Sequence, residues 1–133
     1  MRTHLIAYAG SLIAFLAIDY LWLTRVALDF YRSRIGELLL ERPNLAVAGL
    51  FYLFYVVGVV VFAVGPALKA GDWRLALAYG ALFGLIAYGT YDITNLATLK
   101  GWSPTVAVVD ILWGGVLTAT SALAGYAAVK LAG

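Results

Sequence analysis

The chain has 133 residues, of which 64% are hydrophobic and 12% charged, with a net charge of +2 and no cysteine. A soluble domain averages about 45–50% apolar and about 25% charged residues. One this small has too little interior to hide such an excess, so lipid is the remaining sink for it. The composition also argues against thiolate chemistry and disulfides. It argues against a haem or multi-histidine metal site, since His4 is the lone histidine, and against nucleic-acid binding, since the nine basic residues are scattered.

Residues 4–24 read as a first membrane span, long enough at about 1.5 Å per residue to cross a hydrocarbon core of about 30 Å. The stretch is long for a signal peptide, contains Asp19 and is followed by no small-residue cleavage site. Residues 25–43 read as the longest loop. Arg25, Asp29, Arg32, Arg34, Glu37, Glu41 and Arg42 alternate there with Leu28, Phe30, Tyr31, Ile35 and Leu38 to Leu40. That mixture suits either a short interfacial helix or a solvated connector.

Asn44 is placed to cap a second span over 44–65, which Gly65-Pro66 should stop. Asp72 is placed to cap a third, over 73–99. Ser103-Pro104 combines an N-cap with a first-turn proline and opens a fourth, over 104–130. The expected fold is therefore an all-α membrane protein. It is a single transmembrane domain, an antiparallel four-helix bundle with both termini on one side. Gly80 and Gly84 on the third helix, and Gly114, Thr118, Ser121 and Gly125 on the fourth, allow close backbone approach. Packing inside the bundle is the preferred use of these residues, with a homo-oligomer face as the alternative.

Three acids fall inside these spans: Asp19, Asp92 and Asp110. Each costs about 2.5–3.5 kcal/mol at the bilayer centre on an insertion scale. Asp19 lies six residues before Arg25, about 9 Å below the loop side of the membrane. Asp92 and Asp110 each lie nine residues from Gly101, the centre of the third turn. All three thus belong to one leaflet. Helical phase lets them turn inward, with Trp22, Tyr91, Asn95 and Trp113 in the same layer. No Lys or Arg lies within the spans; Arg25 and Lys100 could only reach in from helix ends. Desolvation and mutual repulsion keep three such carboxylates from all being ionised. A proton, a cation or donors from Trp, Tyr and Asn must satisfy them.

The string Tyr-Asp-x-Thr-Asn-x-Ala-Thr-Leu-x-Gly-Trp over Tyr91 to Trp102, followed by Val-Asp-x-x-Trp-Gly over Val109 to Gly114, resembles the DUF2177 family of small bacterial membrane proteins. Asp19, Trp22 and Phe51-Tyr52 are similar to that family as well. The resemblance implies a four-span, multi-pass protein of the bacterial inner membrane and brings no assigned activity or catalytic residue with it.

The function that follows is a polar chamber of Asp19, Trp22, Tyr91, Asp92, Asn95, Asp110 and Trp113 that binds or transports a proton, a cation or a small polar solute. The alternatives are a membrane-embedded enzyme acting on a lipid or isoprenoid head group, and an accessory subunit of a membrane complex. A metal-dependent lipid enzyme would usually place carboxylates at i, i+3 or i+4 spacing, and this chain has none within its spans. Partners are thus the lipid bilayer and a small-molecule, lipid or ion ligand. Lys and Arg divide four to the termini side and five to the loop side, a slight lean to a cytoplasmic loop side.

Overall fold

The computed structural model describes all 133 residues and is wholly helical, with 89% helix and no strand. Four long helices follow one another: α1 (Arg2–Leu38), α2 (Leu45–Ala70), α3 (Trp73–Thr98) and α4 (Pro104–Ala132). By length and composition α1, α2 and α4 can each cross a membrane. α3 has the length, at 26 residues, yet is not among the three membrane-capable helices. Tyr79, Tyr88, Tyr91, Asp92, Thr94 and Asn95 dilute its apolar content.

The starts of α2, α3 and α4 are built from side chains that satisfy otherwise unpaired amides. Asn44 Oδ1 accepts from the Val47 amide at 3.1 Å, and Ser103 Oγ accepts from the Val106 amide at 3.2 Å. Asp72 Oδ1 accepts from the Arg74 amide at 3.0 Å, and the Arg74 guanidinium folds back onto the same carboxylate. That pairing holds the Asp72 carboxyl below its ordinary range, so this cap persists above that range and is lost only as pH falls through it. Gly71 and Gly101 turn the chain at φ +68° and +82°, a region that L side chains avoid.

Two elements run further than expected. Only residues 39–43 of the expected loop are non-helical; the helix expected as one option within it forms over 28–38 and is continuous with the first span rather than separate, so that α1 runs without a break to Leu38. Its arginines and Glu37 are good helix formers, and Arg34 lies over the Phe30 ring one turn away, 5.1 Å from the ring centre. The join is a π-helical turn over Trp22–Ala27, which rotates the face that the next residues present. At 37 residues, α1 is about 55 Å long, far beyond what the bilayer core requires. α2 likewise passes through Gly65-Pro66 to Ala70. A π turn over Val60–Val64 precedes the proline, and such widened turns absorb the clash and the missing donor.

α4 is the axis of the molecule, with α3 packed along one side and α1 along another. The contact is made by small residues. A Cβ at Gly84 would overlap the Gly114 carbonyl, one at Gly80 would stand 2.9 Å from the Ala119 Cα, and one at Gly125 would overlap the Ser11 hydroxyl. These glycines thus pack within the chain. Ser11 Oγ donates to the Ser121 carbonyl at 2.9 Å across the α1–α4 seam. Phe15, Val56, Val59, Val64 and Leu117 fill the fully buried centre. α2 meets α3 chiefly through Val60–Ala70. Its other half, on the loop side, stands off from α3 and leaves a gap.

Candidate functional site

The acids occupy two niches at the loop end of the bundle. Asp19, on α1, is 6% exposed and accepts a hydrogen bond from Trp113 Nε1 of α4 at 3.2 Å, with Tyr52 of α2 against it. Asp110, half-buried on α4, accepts from the Tyr31 hydroxyl at 2.8 Å. Tyr31 in turn lies 3.4 Å from Trp22 Nε1, which donates to it. The Trp22 and Trp113 rings stack face to face, 4.2 Å apart and 8° from parallel. One stacked indole pair therefore joins the two niches, with each indole N–H pointing into a different one.

Asp92 is the exception. It is fully buried on α3, next to Asp110 and to the Trp102 indole, yet neither of its carboxylate oxygens has a hydrogen-bond partner. The Trp102 N–H is also unpaired. Buried carboxylates are normally paired, because an unpaired buried polar group costs about 1–3 kcal/mol and a charged one more. No basic residue compensates. The protein's one ion pair, Arg74 with Asp72, lies at the opposite end, and Arg25 and Lys100 form none.

The structure therefore brings Asp92 and Asp110 together, with Asp19 in the adjoining niche across the stacked indoles and within range of the Asp110 charge. No group of three potential metal ligands assembles anywhere in the chain. Trp22 and Trp113 sit within the network. Tyr91 and Asn95 do not hydrogen-bond an acid; they lie beside each other, and Tyr91, 56% exposed, meets the edge of Trp102 at 5.6 Å.

Tyr31 is the network residue that sequence spacing does not identify, since its segment reads as loop. A second feature is larger. The gap between α2 and α3 is a cleft of about 800 Å³ whose walls are almost wholly aromatic and aliphatic, with Asp110 the one charged residue lining it. Phe51, Tyr55, Gly58 and Phe62 recur along α2 every three or four residues and form one wall; Phe83, Ala87, Tyr88 and Tyr91 form the other. Phe15 closes the inner end between Tyr52 and Tyr55, at centroid distances of 5.1 and 5.4 Å. The Tyr55 hydroxyl, bonded to Thr118 Oγ1 at 2.9 Å, fixes the floor to α4. The aromatic stripe on α2 is the sequence signal that could have pointed to it.

No curated protein and no solved structure matches the chain. A family match covers residues 4–127, nearly the whole length and all seven residues Asp19, Trp22, Tyr91, Asp92, Asn95, Asp110 and Trp113. The chain thus belongs to DUF2177, a family described as predicted membrane protein.

Proposed function

We propose that this membrane protein is a single transmembrane domain of the bacterial inner membrane. All four helices cross it in antiparallel order, and the Asp92–Asp110 pair binds a monovalent cation with a proton as its competitor. Asp92 carries the reading. A carboxylate fully enclosed by protein, with neither oxygen hydrogen-bonded, only the Trp102 indole N–H beside it as a donor and a second carboxylate adjacent, calls for positive charge that the chain does not supply. Packing alone would be served as well by Ser or Ala, at less cost.

Four spans are supported by the seam between α3 and α4, where Gly80 and Gly84 meet the α4 backbone. A helix held that closely against a membrane-capable partner shares its depth. Cysteines placed at Thr3 and Gly133 are then expected to react with an impermeant maleimide from the same side of intact cells, and one at Ser33 from the opposite side. Labelling of the two end cysteines from opposite sides would reduce the spans to three.

Cation binding is tested on the protein in lipid nanodiscs with dicyclohexylcarbodiimide, which attacks carboxyl groups in apolar surroundings. The adduct is expected at Asp110, the acid that lines the cleft, and sodium or tetramethylammonium should slow its formation, less so at lower pH. In Asp92→Asn the slowing should vanish while the adduct still forms. Equal rates with and without either cation, or equal protection in Asp92→Asn, would refute the reading.

A further inference from the structure

The cleft between α2 and α3 leads from the outer surface of the bundle to the acid pair, and its chemistry changes along the way. Its mouth is hydrocarbon, with Phe54, Val57, Val61 and Phe62 all substantially exposed. Its polar lining is tyrosine and carboxylate: the buried or half-buried Tyr52, Tyr55 and Tyr88, the more exposed Tyr91, and Asp110, which adjoins the unpaired Asp92. A volume of about 800 Å³ falls in the range of about 300–1,000 Å³ usual for small-ligand sites.

We propose that this cleft binds a single-chain amphiphile with an ammonium head, its hydrocarbon chain lying between the aromatic walls and its head against Asp110 and the tyrosine rings. The sign of the head follows from charge. Two adjacent carboxylates without a basic neighbour repel a phosphate or carboxylate head, and the donors present do not assemble the three-ligand set that would let a divalent ion bridge to one. The kind of cation follows from the rings. Aromatic faces attract ammonium groups whose hydration is weak, most of all quaternary ones. The apolar mouth supplies the rest, since a chain attached to the head buries along it without exposing polar backbone. The proposal rests on cation binding by the Asp92–Asp110 pair and adds the identity of the cation's bearer.

The same nanodisc assay separates the two. Dodecyltrimethylammonium is compared with tetramethylammonium, the head alone, and with dodecanol, the chain with a neutral head. Because a long chain concentrates in any bilayer, the readout is the difference between the parent and a variant whose cleft is filled, Ala87→Phe. Dodecyltrimethylammonium is expected to protect Asp110 in the parent at a concentration at least about tenfold below that needed in Ala87→Phe, with tetramethylammonium equally effective in both. Val57→Trp, filling the cleft from the other wall, should repeat the loss if Ala87→Phe folds poorly. Equal potency of dodecyltrimethylammonium in parent and filled variants would overturn the amphiphile while leaving the cation reading intact. Protection by dodecanol equal to that by dodecyltrimethylammonium would overturn the ammonium head. Protection by none of the three would remove both readings together.

Discussion

Gly84→Leu is expected to release α3 from α4 and to cost about 3 kcal/mol or more, the largest effect of any single substitution in the bundle. The added side chain has nowhere to go. Its first carbon alone would overlap the Gly114 carbonyl and stand 2.7 Å from Thr118 Oγ1, and backbone cannot move aside as a side-chain tip can. The same displacement would carry Tyr88 away from Gly114, against which its ring is seated, and Asp92 away from Asp110. Denaturant unfolding in mixed micelles, followed by helical signal, should show the loss, and cation protection of Asp110 should disappear with it. Gly89→Ala is the control, since nothing stands within 4 Å of a Cβ there; it should leave stability unchanged or slightly raised. Equal damage from both would mean that helix propensity, rather than the α3–α4 seam, sets the response.

Asp92→Asn is expected to do the opposite to stability, raising it by about 1–2 kcal/mol near neutral pH while abolishing cation binding. The parent side chain accepts no hydrogen bond in the structure, and its polar neighbours are Asp110 and the unpaired Trp102 indole. The replacement has the same shape, removes one of two adjacent charges and brings an amide that can donate to Asp110. The gain should shrink as pH is lowered, because protons then neutralise the pair in the parent as well. Thermal unfolding in nanodiscs at several pH values, with and without sodium, measures both effects. A variant less stable than the parent at every pH would show that Asp92 is held by interactions the cation reading ignores. A site that costs stability where it serves no packing is the pattern expected of a binding group.

How much of this could be read from the chain alone depended on how local each signal was. The caps at Asn44, Asp72 and Ser103 were legible because capping depends on three or four consecutive residues. The burial of Asp19 and Asp92 follows from cost, since neither acid can face hydrocarbon cheaply. The extension of α1 was hidden by its charges: Arg25, Asp29, Arg32 and Arg34 mark the end of a hydrophobic run, and that is a statement about lipid rather than about helix. Tyr31, which the extension delivers to Asp110, was hidden with it. The run-on of α2 past Pro66 was hidden because the π turn that tolerates the proline has no fixed residue signature. The closeness of α3 to α4 depended on which glycines interlock, a property of two helices at once. The cleft was least legible, because its volume comes from how far α2 leans from α3, and no single segment records that.

The shortfall in hydropathy of α3 has a consequence for how the protein is made. A segment that carries Asp92, Asn95 and several tyrosines gains little by leaving the translocation channel for lipid alone. Its glycine face is complementary to α4, and only Leu99 to Ser103 separate the two helices. On the proposed four-span reading, α3 is expected to wait for α4, the two entering the bilayer as a preformed hairpin. A ribosome stalled before α4 has emerged would leave α3 stranded at the channel, with Asp92 still in water.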